Sequence, residues 1–352
     1  MTRSIQFGKF EVQTKDGGDT AVFEHLPTNE TYEFGDDGEF NAKSQRVEEI
    51  DTVQFAAPKP GATGGDKIQT AIDDLTARGG LVFVGANGPD SVANNAGEVE
   101  DNVWEVTSEI NTDGKNAVWI QGASPGWRGE NSGTALMCSD DSVGTMLHYE
   151  NGGFLDGLAN IRVDGVYNAD NCVEFGGSAN DFQAHSVIAH SGSVSAFRLA
   201  GDLNAWIDNC WIEVCPGPGI VAEGMDDIWI TNNLFFRNQR SILLRESVDR
   251  VLASGNRVER PDRGFVHTFS GSPATWGLLQ FTDNRIIDPS DSGNGDHSVF
   301  KLVGEGTISD MIISNNVVDG GSQANHFVRR GSSITIEDST IANNEVSGVV
   351  NA

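Results

Sequence analysis

Residues 208–213 read DNCWIE, residues 231–236 TNNLFF and residues 254–259 SGNRVE, three versions of one pattern set 23 residues apart. Each has a small polar residue, then Asn or a substitute, then two positions that are often apolar. The pattern extends back through AHSVIA at 184–189 and LANIRV at 158–163. It extends forward through TDNRII at 282–287, SNNVVD at 314–319 and ANNEVS at 342–347. Aligned, one column holds Asn160, Ser186, Cys210, Asn233, Asn256, Asn284, Asn316 and Asn344, with steps of 26, 24, 23, 23, 28, 32 and 28 residues. A self-similar period of this length marks a repeat architecture. The step matches one rung of a parallel β-helix, three short strands and three turns, with rungs stacked at the interstrand spacing of about 4.8 Å. Stacking turns the column into a ladder of amides. Asn tolerates the left-handed backbone of such a turn, and its amide passes hydrogen bonds up and down the stack. Ser186 and Cys210 interrupt the ladder but are small enough to fit.

Two more segments recur in each repeat. CVEF (172–175), AFRL (196–199), GIVA (219–222), SILL (241–244), VFKL (299–302) and HFVR (326–329) read as the first strand of successive rungs. AWID (205–208), DIWI (227–230), GLLQ (277–280) and DMII (310–313) read as the second, with Trp206 over Trp229. Inward and outward residues should alternate along each. A leucine-rich repeat would need recurring Leu columns, which are absent. The 42 glycines suit a turn-dense β fold. Ahead of the repeats, Asp66–Arg78 reads as a helix. Asp66 is its expected N-cap, Ile68, Ala71, Ile72 and Leu75 form one face, and Gly79-Gly80 ends it. A solenoid must cover its first rung, and this helix is the natural lid. LVFV (81–84), NVWEV (102–106) and AVWIQG (117–122) begin the first rungs. Residues 1–50 differ: IQFGKFEVQT reads as a strand, and AVFEH with TYEFGDDGEF as a hairpin. So short a segment folds poorly alone and is expected to lean on other proteins. Residues 54–66 read as a hinge. The expected fold is all-β: a short N-terminal β arm (1–50), then a single-stranded right-handed parallel β-helix (51–352) with a capping helix at 66–78.

Asp and Glu total 51 against 23 Lys and Arg, a net charge of −28, and only seven of those bases are Lys. An acidic, lysine-poor surface stays hydrated where salt screens charge, and repels itself in dilute buffer. This composition points to a halophile. It excludes nucleic acid as a partner, since phosphate binding needs a basic footprint. Cys138, Cys172, Cys210 and Cys215 make neither a CxxC pair nor a zinc pattern. They read as buried free thiols, with a Cys210–Cys215 bridge as the alternative. No metal or other cofactor is expected. The N-terminus MTRSIQFGKFEV has no secretory apolar core and no twin arginine. Nor is any apolar run long enough to span a membrane. If the protein works outside a cell, a route other than standard export is expected to carry it there.

The order D-x-I-Q-x-A-I-D from Asp66, then G-G-L-V-F-V, a W-E-V strand and A-V-W-I-Q-G-A, resembles the start of the pectate-lyase-like β-helix superfamily, phage tailspikes included. The resemblance continues through the Asn rungs over about 51–352. It implies the fold. It leaves activity open, because the superfamily holds polysaccharide lyases, glycoside hydrolases and virion proteins that bind glycans or only decorate. The hydrolase motifs N-T-D, D-D and G-H-G do not carry over: the one D-D is Asp226-Asp227, and His267 lacks flanking glycines. No sequence-local version of the lyases' calcium-binding carboxylates with an Arg is present.

Rung alignment brings distant side chains together. Glu174 and Arg198 fall outward at matching positions, and so do Glu223 and Arg245 two residues further along, with Lys301 as a further member. These four residues read as a polar groove for a glycan or as an ion-pair ladder between rungs. Glu174 and Glu223 lie two rungs apart, roughly 9.6 Å from strand spacing, at the long end for a glycosidase pair. Trp127, in a polar loop, is a candidate for stacking on a sugar ring. Arg237, Arg240, Arg260 and Arg263 recur along the turns. They read as Arg–Asp stacking at one edge or as a subunit seam. His185 and His190 read as structural rather than metal-binding. Together these features point to a virion spike, on tail or capsid, of a halophilic archaeal virus. The arm would anchor on capsid or tail proteins, and the shaft would bind host glycans. The resemblance adds an expected homo-oligomer, a trimer. Nucleic-acid binding and membrane insertion are not expected. The alternatives are a polysaccharide lyase or hydrolase and a cellular surface scaffold.

Overall fold

In a computed structural model, the structure describes residues 4–7, 10–15, 20–25, 30–34 and 40–42, and then 53–126, 133–150, 156–177, 181–201, 204–288 and 298–351. The chain divides into two compact units, Met1–Asp51 and Thr52–Ala352. The first is a five-stranded antiparallel meander, Ser4–Phe7, Phe10–Lys15, Thr20–His25, Glu30–Phe34 and Phe40–Ala42. IQFGKFEVQT is therefore two strands, with Phe7 paired to Phe10, where one was expected.

The second unit is the expected right-handed parallel β-helix, a solenoid of about ten turns. Its first sheet stacks residues 145–150, 171–176, 195–200, 218–223, 240–245, 266–269, 298–302 and 326–330. The second runs from Val53–Phe55 through 80–84, 118–122, 156–159, 181–185, 204–208 and 227–231 to Ile334–Ala342. Val53–Phe55 is thus already a strand, which shortens the hinge expected at 54–66. The third sheet stacks three-residue strands, among them Arg162–Asp164, Ile188–His190, Trp211–Glu213, Leu234–Phe236 and Arg257–Glu259. Alternation fills the interior: Leu147, Val173, Phe197, Ile220, Ile242, Val266 and Phe300 form one fully buried column of the first sheet. Trp206 and Trp229 stack on the outward side of the second sheet, 4.6 Å apart and 2° from parallel.

The lid is a helix at Gly64–Asp73, and its N-cap is Thr63 rather than Asp66. Asp66 sits three residues in and accepts from the Thr63 N–H at 3.0 Å, while Thr63 Oγ1 accepts from the Asp66 N–H at 3.3 Å, a reciprocal capping box. The helix stops at Asp73, short of the expected Arg78. Asp73 and Asp74 put negative charge on the negative end of the helix dipole. Ile68, Ala71 and Ile72 are buried against the first rungs. Among the described residues, no helix is long and apolar enough to cross a membrane.

The amide ladder is continuous from Asn233 to Asn344. Each Nδ2 donates to the Oδ1 of the next rung, at 3.1, 2.9, 3.0 and 2.9 Å in order. Each Nδ2 also donates to a carbonyl of the previous rung, as Asn256 does to Ile230 at 2.8 Å. Each Oδ1 from Asn256 upward also accepts the backbone N–H of the Asn below. The left-handed residue of the turn is the one before the ladder: Asn160, Ser186, Asn209, Asn232, Gly255, Asp283, Asn315 and Asn343 have φ between 53° and 68°. Asn160 and Ser186 thus belong to this preceding column, and Ile161 and Val187 stand at the ladder position. Asn suits both places, left-handed backbone in one and amide stacking in the other. Cys210 stays in the ladder. Its thiol donates to the Ala184 carbonyl at 3.6 Å, where the next rung uses an Asn amide to Ile207. All four cysteines are free and buried.

Candidate functional site

The outward side of the first sheet carries the predicted Glu174, Arg198, Glu223 and Arg245. Glu174 pairs with Arg198 across one rung step, and Glu223 with Arg245 across another. The Arg198 guanidinium spans two carboxylates: Nη1 donates to Glu174, and Nη2 donates to Glu223 Oε2 at 3.0 Å. Arg245 Nη1 donates to Glu223 Oε1 at 2.5 Å. Thr145 Oγ1 completes the shell, donating to Glu174 Oε2 at 2.8 Å. The acids lie beneath, with side chains 15% and 14% exposed; the guanidiniums of Arg198 and Arg245 lie above, at 37% and 45%. The face therefore offers fixed N–H donors over carboxylates that are already engaged. Lys301 shares the Arg198 column but stands beyond Val221, Leu243 and His267. Val221 and Leu243 point outward yet are buried, so the ladder leads onto an apolar stretch of the same column. Sequence reasoning missed that stretch, because GIVA and SILL look like interior strands throughout.

The arginines gather at the third turn, between the third and first sheets. Arg237 and Arg260 are successive members of one column, with φ of 52° and 51°. The column continues in Asp288. Arg237 lies 5.1 Å from the centroid of the Phe236 ring. Arg240 and Arg263 are neighbours of the same kind: the Arg263 N–H donates to the carbonyl of Gln239, the residue before Arg240, as a parallel rung does when Arg263 stacks on Arg240. The two act on each other. Burial, with the charges of Arg263 and Arg245, pulls Arg240 below the usual arginine range, and its Nε is buried without a partner. Among the described residues, no carboxylate forms an ion pair with Arg237, Arg240, Arg260 or Arg263. Trp127 lies outside the described residues.

A second polar group went unread in the sequence. Asp164, His190 and Glu213 are stacked neighbours on the outward side of the third sheet, yet all are buried. His190 Nδ1 lies 3.0 Å from Asp164, and Nε2 lies 3.6 Å from Glu213. Arg162, also buried, pairs with Glu100 on a hairpin formed by Asp90–Ala93 and Val99–Val106. Val92 and Val103 of that hairpin pack on Ala135, Met137 and Val166. Ser191 Oγ lies within reach of both His190 nitrogens, nearer to the Nδ1 that meets Asp164 and 3.3 Å from Nε2, so it sits beside the ring and not in line beyond Nε2 as a nucleophilic relay requires. His185 meets Asp208 at 3.1 Å. Among the described residues, no group of three or more His, Cys, Asp or Glu is placed to hold a metal ion.

No family model and no curated protein matches the chain. Among solved structures it is similar to DFA-IIIase from Arthrobacter chlorophenolicus A6 in complex with GF2, at 13% identity and a TM-score of 0.47 over 76% of this chain and 88% of that one. It is similar to an alginate lyase from Paenibacillus sp., at 12% identity and a TM-score of 0.39 over 82% and 97%. It is also similar to ORF18 of Geobacillus virus E2, at 13% identity and a TM-score of 0.39 over 96% and 70%. None is close enough to carry over a site or an activity.

Proposed function

We propose that this protein is a glycan-binding spike or decoration protein on the surface of a halophilic archaeal virus, of the tailspike type within the pectate-lyase-like superfamily. In this reading the solenoid is the shaft, residues 1–50 meet capsid or tail proteins, and the protein works as a homo-oligomer, a trimer, in high salt outside the cell. The acidic, lysine-poor composition and the separate N-terminal β unit support it. The observation that carries the glycan part is the Arg198 guanidinium between Glu174 and Glu223. A glycosidase needs the scissile bond between its two carboxyls, and here a side chain fills that space. What remains is a row of fixed donors suited to sugar hydroxyls or acidic sugar groups.

The test is affinity electrophoresis of the full chain, in molar salt, through gels containing host-surface polysaccharide. Retention is expected, weakened at least tenfold by Arg198→Ala or Arg245→Ala, without release of reducing ends or unsaturated sugars. Release that Glu174→Gln abolishes would replace binding with cleavage. Antibody labelling of purified particles checks the location, and its absence from particles would leave a cellular surface protein.

A further inference from the structure

We infer that two corners of the solenoid, opposite in sign and level with each other, dock copies of this chain side by side. One is the third-turn corner with Arg237 and Arg260. The other is the first-turn corner, between the first and second sheets, where Asp226 and Asp249 are exposed. Asp227 pairs in register with Arg250, which makes Asp226 and Asp249 successive members of one column. Each column therefore repeats one sign at the rung spacing of about 4.8 Å; Arg250, paired with Asp227, is also attracted by Asp226 and Asp249, and one base among three acids leaves that corner net negative.

The two columns match in height. Arg237 follows Asp226 by 11 residues and Arg260 follows Asp249 by 11, so each pair belongs to one rung. Both columns also end together: in the next rung Asp288 succeeds Arg260, and Gly277 succeeds Asp249. Two copies lying parallel, with no axial shift, set the arginine pair of one against the aspartate pair of the other. Glu246 and Glu305, both exposed, extend the acidic corner. Around the basic corner, half-buried Leu234 and Phe236 on the third sheet supply apolar rim, the aromatic-and-arginine composition common at interfaces. Because the two surfaces differ, the contact is heterologous and propagates to a closed ring if the rotation permits. Molar salt screens the long-range repulsion between chains of charge −28, with a Debye length of about 3 Å; it weakens exposed Arg–Asp pairs as well, but far less once the contact buries them.

The surface is separate from the glycan face, so either can fail alone. Sedimentation of the full chain in molar KCl tests it. The wild type should self-associate. Arg237→Asp with Arg260→Asp should weaken association at least tenfold, and Asp is well suited to the left-handed backbone there. Asp226→Arg with Asp249→Arg should do the same. The chain carrying all four changes should associate again, with polarity reversed, and circular dichroism should match the wild type throughout. A monomeric wild type, unchanged association in either double variant, or no recovery in the fourfold variant overturns the inference. A monomer whose retention on soluble alginate is lost in Arg237→Asp/Arg260→Asp would instead make the corner an anion-binding surface.

Discussion

Replacing Asp156 by Asn should remove a pH dependence built into the solenoid interior. Asp156 lies in register between Val118 and Phe182 on the second sheet, an inward column, and is fully buried. Oδ1 accepts the Val118 N–H at 2.6 Å, while Oδ2 is buried without a partner. Burial raises its pKa from 3.8 to about 7 against the pull of that one hydrogen bond. A folded-state pKa above the unfolded one means the folded chain holds the extra proton between those values. Stability therefore falls as pH rises through the window and levels off above it. Three pH units at about 1.4 kcal/mol each amount to about 4 kcal/mol. Asn presents the same oxygen to Val118 and cannot ionise. In urea unfolding at fixed molar salt, the Asn variant should match the wild type near pH 4, gain on it steadily to pH 7, and keep a lead of about 4 kcal/mol above that. Parallel stability curves, or an Asn variant weaker at pH 8, would refute the assignment of an ionising group to this position.

Three further outcomes follow from the same stack. Asn284→Ala strips partners from the Asn256 amide and backbone N–H and from the Ala253 carbonyl, and should cost about 3 kcal/mol in denaturant unfolding. Cys210→Asn should stabilise by about 1 kcal/mol, since an amide bonds the Ala184 carbonyl more strongly than a thiol does and adds a side-chain donor for Asn233 Oδ1, which already accepts the residue 210 backbone N–H; a loss would show that the thiol's size is what the rung needs. Asp164→Asn should cost about 3 kcal/mol by removing the carboxylate that meets buried His190 at 3.0 Å and lies near buried Arg162, which then keep Glu213 and Glu100. Burial disfavours ionised Asp164, but the hydrogen bond and charge of His190, with the charge of Arg162, outweigh it and hold the carboxyl below its usual range. That stability is present above the unfolded carboxyl value and lost as pH falls through the folded one, so the cost should shrink in acid.

The period was legible because a rung is one unit of sequence: 23 residues return the chain to the same column, and apolar alternation dates each strand. The phase of the column was harder. In LANIRV the Asn is the left-handed turn residue, and in TNNLFF the second Asn is the ladder amide. Only the two-residue doublet separates the roles, and early rungs show one Asn. The hairpin at Asp90–Val106 was not readable, since its second strand continues into the W-E-V segment of a rung. The break in IQFGKFEVQT had a signal, the Gly8-Lys9 pair, because two-residue hairpin connections often open with Gly. The Glu–Arg ladder of the first sheet was read from spacing alone. The apolar Val221 and Leu243 in the same column were not, because a four-residue apolar run does not say which side it shows.

A stacked fold makes the fate of a polar residue depend on its column. Asn233 through Asn344 are buried at little cost because each rung offers the complement of the last. Asp164, His190 and Glu213 are buried together because an imidazole stands between two carboxylates up the stack. Asp156 has Val118 below it and Phe182 above, and burial there raises its pKa to about 7 instead. The same rule on the surface separates the two charged faces. On the first sheet the signs alternate and the ladder closes on itself, leaving only its upper donors for a ligand. At the third turn, Arg237 and Arg260 repeat one sign with no carboxylate in ion-pair reach among the described residues. Asp288 follows in that column on one side only, and on a chain this acidic a second copy offers further carboxylates at the same height.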